Sequence, residues 1–254
     1  MLKFGQITVL AAVALLIIGV VDFFSEISPV LYIALLLLWL LIVALGSFTL
    51  RWGFFTTFIT KGNQTEKQVA ITFDDGPHPE YTLEILKLLK SYNAKATFFC
   101  IGKNLEKYPK IAQQLIADGH SLGNHSYSHA TNFGFFRKKR IVEELAKTDV
   151  LLEKITGSKN VWFRPPYGVT NPSIAKAVKE TNHNVVGWNV RSYDTVIKNP
   201  TKVVNRIKKR VSPNAIILLH DTHSRCPEIV ERLLQFLKKE GYQTVTVERL
   251  LKKN

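Results

Sequence analysis

"VAITFDDGPHPEY", Val69 to Tyr81, runs an apolar segment into two adjacent carboxylates and then Gly-Pro. Neighbouring like charges disfavour one another, and a buried carboxylate is costly unless paired. Asp74 and Asp75 therefore either sit in water at a turn or are held by something positive. Asp-Asp-Gly-Pro is also ordinary turn chemistry, so these residues alone leave both readings open.

Working outward, short apolar runs recur at 68–73, 95–101, 120–123, 161–163, 184–188, 214–219 and 242–247. Between most of them lie amphipathic stretches such as "YTLEILKLLKSY", "RIVEELAKTDVLLEKIT" and "PEIVERLLQFLKKE". Their apolar residues recur at three and four, as on one helix face. Strand–helix alternation predicts a parallel sheet covered by helices, open or curled into a barrel. Seven strand candidates are too few for an eightfold barrel.

The N-terminal part reads differently. Residues 4–21 and 30–50 are nearly uncharged apolar runs, separated by "DFFSEISP" and each long enough to cross a bilayer. No small-x-small cleavage pattern follows the first run, so a retained helical hairpin over 1–50 is expected rather than a signal peptide. Residues 51–67 form a short linker whose Trp52, Phe54, Phe55 and Phe58 suit a membrane–water interface. The remaining domain, 68–254, must then stay close to the bilayer.

The formal net charge of +14 lies wholly outside residues 1–60, where Lys3 and Arg51 balance Asp22 and Glu26. Charge alone allows a nucleic-acid partner, but no binding motif accompanies it and none is expected. Two cysteines, Cys100 and Cys226, do not make a disulfide scaffold.

The unusual polar residues fall at one end of the predicted strands. Asp74 and Asp75 follow the first, His125 the third, Arg164 the fourth, and His220 and Asp221 the sixth. In parallel α/β folds the carboxyl ends of strands are where sites assemble. His125 and His129 are four apart. On a helical turn they would share a face and could bind one metal ion together. With one carboxylate they would leave coordination positions open, as a catalytic metal site requires. One Asp could then bind metal while its neighbour stays free as a base.

"TFDDGP" (72–77), "HSYSH" (125–129), "RPPYG" (164–168) and "LLHD" (218–221) together resemble the polysaccharide deacetylases, the NodB-homology or carbohydrate esterase 4 family. The resemblance covers about residues 67–250. It implies a distorted (β/α) barrel of about seven parallel strands, here preceded by two transmembrane helices. It also implies removal of N- or O-acetyl groups from sugars with one divalent metal ion, usually zinc. By motif, Asp75, His125 and His129 would bind the metal, and Asp74 would be the base that activates the attacking water. Arg164 would orient Asp74 and His220 would protonate the leaving amine. The backbone N–H of Tyr167 would assist the oxyanion, and Leu218 would help form the acetyl pocket. The expected partner is an acetylated glycan or a lipid-linked sugar. A deformylase of a lipid-linked amino sugar and a glycan-binding pseudoenzyme are the rival readings.

One motif departs from the family pattern. In "VVGWNVRSYDT" (185–195), Arg191 stands where many relatives have an acidic residue that supports the catalytic histidine, and Thr195 where many have Trp. Asp194 matches the motif's second acidic position, so the partner of His220 is left open. His78, His120, His183 and His223 receive no catalytic role. "NFGFFRKKR" (132–140) reads either as a helix start with buried Phe or as a rim that touches lipid. Lys3, Arg51, Lys61 and Lys67 flank the hairpin, and the intervening loop has no Lys or Arg. This bias places both termini in the cytoplasm, whereas the resemblance points to an external domain.

Overall fold

The computed structural model describes residues 2–63 and 65–252. Met1, Gln64, Lys253 and Asn254, which fall in the expected hairpin, linker and domain, lie outside the described residues. The two apolar runs form antiparallel helices, α1 (Phe4–Phe24) and α2 (Pro29–Phe48), both long and apolar enough to cross a membrane. The turn between them is closed by Asp22, which accepts the Ile27 N–H at 2.6 Å and the Tyr32 hydroxyl at 3.1 Å. Pro29 opens α2 at its first turn, where its missing N–H has no cost.

The strands are β1 (Phe58–Ile59), β2 (Gln68–Asp74), β3 (Ala96–Cys100), β4 (Ser121–Asn124), β5 (Trp162–Phe163), β6 (Asn184–Val186), β7 (Val190–Arg191), β8 (Ile216–His220) and β9 (Gln243–Thr244). They pair in parallel in the order β1-β6-β5-β4-β3-β2-β8-β7, with β9 beside β2. Only residues 187–189 separate β6 from β7, so the chain itself joins two distant parts of the curled sheet. The helices outside it are α3 (Tyr81–Ser91), α4 (Gly102–Lys107), α5 (Pro109–Ala117), α6 (Lys138–Thr156), α7 (Pro172–Thr181), α8 (Pro200–Lys208) and α9 (Cys226–Lys239). The short α10 (Val247–Leu251) packs Val247 and Leu250 inside the curl, with Ala70, Phe99 and Ile216. This is the parallel, curled α/β fold that the alternation and the motifs predict. Two strands escape that reading. β1 arises within residues 51–67 and pairs with β6, and β7, just beyond the predicted run 184–188, pairs with β8.

Residue alternation explains what lies inside. Successive strand side chains point to opposite faces. In β2, Val69, Ile71 and Phe73 pack outward into the core shared with α3 and α9, while Ala70 faces the interior of the curl. Thr72 and Asp74 share the parity of Ala70. In β8, Ile217 and Leu219 face the same outer core, and Ile216, Leu218 and His220 face in. The run "VAITFD" thus buries both faces of a central strand and delivers a carboxylate to the interior at its end.

The base of the hairpin docks on the domain. The Ser47 carbonyl, in the last turn of α2, accepts the Thr170 N–H at 3.1 Å. Arg51 donates to the Asn189 carbonyl at 3.3 Å, and Phe54 packs under Gly46.

Candidate active site

A cleft of about 280 Å³ opens at the carboxyl ends of the strands, lined among others by Asp74, Asp75, His125, His129, Tyr167, Leu218 and His220. Its floor is an ion pair. Arg164 is 0% exposed, and its Nη1 donates to Asp74 Oδ1 at 2.7 Å and to Thr72 Oγ1 at 2.8 Å. Its Nε and Nη2 reach the carbonyls of Val186 (3.1 Å) and Gly187 (2.9 Å). The guanidinium carbon lies 4.1 Å from the Phe99 ring centroid. Burial lowers the Arg164 pKa, and Asp74 opposes that effect. Something positive does hold the first carboxylate, which answers half of the opening question.

The second carboxylate turns away. Asp75 has φ 76°, so it leaves the strand alternation and aims at the two histidines. Its Oδ1 lies 3.4 Å from His125 Nε2 and 3.3 Å from His129 Nε2, and no hydrogen-bond partner satisfies it. A side chain at Gly76 would strike the Asp221 carboxylate, so the turn after Asp75 needs glycine. His125 Nδ1 is 2.7 Å from the Arg164 carbonyl, which can only accept. That bond fixes the Nδ1 proton and leaves Nε2 facing Asp75, the usual second-sphere support of a metal-binding imidazole.

The candidate ligand atoms of Asp75, His125 and His129 lie within 4.8 Å of one another. An orphaned carboxylate oxygen between two imidazole nitrogens fits a divalent cation that takes N and O ligands. The charges agree. Burial disfavours the Asp75 anion, but the close approach of His125 and the charges of the neighbouring imidazoles outweigh it and bring its pKa down to about 2. Burial disfavours the His125 cation, but the charges of Asp74 and Asp75 outweigh it and raise its pKa. The cluster draws positive charge to its centre.

The histidine pair does not sit on a helical turn. Residues 125–129 form an irregular loop after β4, with Ser126 at φ 62° and His129 at φ 47°. Glu144 on α6 shapes it by accepting the N–H groups of Tyr127 (3.1 Å) and Ser128 (2.7 Å) and the Ser128 hydroxyl (2.8 Å). Sequence reasoning missed Glu144, because nothing local marks it as different from other helix-face glutamates. Among the described residues, five non-Gly residues other than Asn have positive φ: Asp75, Ser126, His129, Tyr167 and Tyr193. Four of them line the cleft, and Ser126 lies in the histidine loop. Such strain collects at functional sites.

The opposite wall carries His220. Its Nδ1 lies 3.0 Å from Asp194 Oδ1, and its backbone N–H donates to Asp194 Oδ2 at 2.7 Å. Asp194, fully buried, also accepts the Ser192 hydroxyl at 2.7 Å and faces His223 Nε2 at 3.2 Å. The partner that the sequence left open is therefore Asp194, and His223 joins the same carboxylate. Burial disfavours the His220 cation, but the Asp194 hydrogen bond and charge outweigh it and raise its pKa to about 9. Arg191 also lines the cleft, with its guanidinium 4.7 Å from the Tyr193 ring and 5.8 Å from the Trp188 ring.

Leu218 lies on the cleft floor and Tyr167, 50% exposed, on the rim, its ring 4.8 Å from that of His129. The other histidines are structural. His78 stacks on Tyr81, His120 Nδ1 accepts the Ala96 N–H at 3.2 Å, and His183 pairs with Asp149 at 3.2 Å.

The polysaccharide deacetylase family profile matches residues 61–186. A peptidoglycan-N-acetylglucosamine deacetylase of Bacillus cereus is 37% identical over 198 residues, 74% of this chain and 89% of that protein. The peptidoglycan deacetylase PdaC of Bacillus subtilis superposes with a TM-score of 0.69 at 32% identity, over 73% of this chain and 90% of the other. A pseudoenzyme of the CE4 family from Bacillus anthracis superposes with a TM-score of 0.70 at 29% identity, over 76% and 68%. With the motifs on four strand ends gathered into one cleft and relatives of this likeness, the chain belongs to the polysaccharide deacetylase family.

Proposed function

We propose that this protein is a membrane-anchored, metal-dependent deacetylase that removes acetyl groups from an amino-sugar glycan. The observation that carries the reading is the division of labour between adjacent carboxylates. Asp74 is gripped by Arg164 and Asp75 faces two histidines, across one cleft from the His220–Asp194 pair. Asp75, His125 and His129 would hold a divalent cation, zinc by ligand type. That cation, when bound, supplies Lewis acidity to the acyl carbonyl and to water. Asp74 takes the proton of the attacking water as its oxygen bonds to the carbonyl carbon, and Arg164 holds the carboxylate in place. His220 gives its Nε2 proton to the sugar nitrogen as the C–N bond breaks. Acetate and a free amine are the products. The Tyr167 N–H would face the oxyanion, and Leu218 would bound the methyl pocket.

Acetate release from N-acetylated glycan oligomers tests this. It should vanish with a chelator and return with added zinc. Formate release from formylated amino sugars instead would establish the deformylase. Glycan binding without release of either acid would establish a pseudoenzyme.

The anchor is the α1–α2 hairpin, which leaves almost all of its apolar side chains unburied apart from the docked base. The positively charged ends of the hairpin favour a cytoplasmic domain, and the substrate named for the relatives favours an external one. A topology reporter at the C-terminus decides this. An external domain selects a wall polymer, and an internal one a lipid-linked precursor.

A further inference from the structure

The segment that follows His129, outside the lining of the cleft, carries a feature that the chemistry above does not use. Of the three phenylalanines at 133–136, Phe133 and Phe136 are buried, but Phe135 is 91% exposed. Arg137, Lys138, Lys139 and Arg140 follow, all exposed. Lys138 pairs with Glu180 at 2.7 Å, and Arg140 lies over the Phe136 ring at 3.6 Å. Arg137 and Lys139 pair with no carboxylate among the described residues. An apolar ring presented to solvent beside unneutralised cations is the composition of a surface that sits in lipid headgroups.

Its place in the fold points the same way. The Asn171 side chain caps α7 by accepting the Ile174 N–H at 2.9 Å and donates to the Gly134 carbonyl. The neighbouring Thr170 donates to Ser47 at the end of α2. Two hydrogen bonds and one peptide step thus tie the residue before Phe135 to the end of the apolar helix. The same loop, 164–171, carries Tyr167 on the cleft rim. Phe48, at the end of α2, is also largely exposed.

We propose that Phe135 with Arg137 and Lys139 seats in the headgroup layer of an anionic bilayer, the one the hairpin crosses, so that the His129–Tyr167 lip of the cleft opens at the membrane surface. The inference rests on the membrane-anchored reading. It narrows the substrate to glycan whose reacting sugar is held close to the bilayer, as a lipid-linked or newly made strand is. The cations meet lipid phosphate and the ring enters below it.

The test uses the full chain in lipid nanodiscs. Cys100 and Cys226 are fully buried, so an environment-sensitive thiol fluorophore can be directed to F135C. Parallel labels at L36C, midway along α2, and K239C, at the end of α9, serve as references. In phosphatidylglycerol discs the label at 135 should be blue-shifted and quenched by lipids spin-labelled at the headgroup. The label at 36 should be quenched by deep spin labels, and the label at 239 by neither. Quenching at 135 should fall in phosphatidylcholine discs and in R137E/K139E. A quenched label at 36 with an aqueous label at 135 overturns this inference and leaves the anchor standing. An unquenched label at 36 overturns both. Equal quenching at 135 with and without anionic lipid overturns the role of the cations.

Discussion

Asp194→Asn probes the side of the cleft that the sequence left open. In the protein, Asp194 raises the His220 pKa from the ordinary 6.5 to about 9, a roughly 300-fold tighter hold on the proton. An amide has no charge to give, and its NH2 can turn to Nδ1 and favour the neutral imidazole. Burial is then opposed only by the charges of Asp74 and Asp75, so the pKa should fall back to about 6.5. If His220 is the acid, turnover follows its protonated fraction. Near pH 5.5 the wild type and the variant should be about equal in this respect. The ratio of their rates should grow to about 10 at pH 7.5 and about 75 at pH 8.5, and level off above pH 9.

The assay is acetate release across pH on metal-loaded enzyme, with metal content measured for each sample. Water at a metal centre can titrate in the same range, so the growing ratio must be absent in a His220→Ala background. A ratio that stays constant with pH would refute the reasoning, because Asp194 would then only orient the ring. The linkage also has a sign. The pair's contribution to stability through the raised His220 pKa is fully present below pH 6.5 and is lost as pH rises through about 9. The melting temperature of wild type should fall over that window by more than that of Asp194→Asn.

Asp75→Ala, His125→Ala and His129→Ala should each lose bound metal and activity while keeping a cooperative melt, measured by elemental analysis and circular dichroism. Asp74→Asn should keep its metal and lose roughly 100-fold or more in turnover; loss of metal instead would exchange the roles of the two aspartates. Arg164→Met leaves a buried carboxylate without its partner and should cost about 3–5 kcal/mol in denaturant unfolding. Arg191→Asp should leave the alkaline limb of the pH–rate profile where it is, since Asp194 and not residue 191 holds His220; an upward movement would place residue 191 against the imidazole.

What the sequence made legible was periodic. "VAITFDD" announces a strand buried on both faces and ending in charge, and the seven apolar runs all become strands. The convergence of Asp75, His125, His129 and His220 follows from their positions at strand ends in a parallel sheet. What was not legible depends on partners distant in sequence. The loop at 125–129 takes its shape from Glu144, so two histidines four apart suggested a helical turn that does not form. Asp194 meets His220 only because β7 lies beside β8. β1, β5, β7 and β9 have two residues each, too few to carry a period of two, and of these β5 and β9 fall within an apolar run while β1 and β7 do not. Arg164 gives no local sign that it will be the largest fully buried side chain of the interior.

The deacetylase PdaC and the CE4 pseudoenzyme superpose on this chain almost equally well, with TM-scores of 0.69 and 0.70. Fold likeness therefore does not separate catalysis from binding here, and the side chains must. The balance of charge among them is what a hydrolytic cycle uses. Arg164 neutralises Asp74 without occupying its Oδ2, which lies 3.8 Å from His125 Nε2 and remains directed at the cluster. Asp75 Oδ1 has no hydrogen-bond partner between the two imidazoles, where a cation would sit. His220 is kept protonated by a carboxylate that also has Ser192 and His223 to anchor it. Replacing the family's other acidic residue with Arg191 leaves these three conditions intact, because none of the three contacts involves it. Asp74, the Asp75–His125–His129 cluster and His220 all face one cleft. On the proposed deacetylase reading each of the three has its own task. The Asp74→Asn, Asp75→Ala and Asp194→Asn variants should therefore lose turnover while still binding glycan. Variants that lose glycan binding in step with turnover would favour a purely binding role.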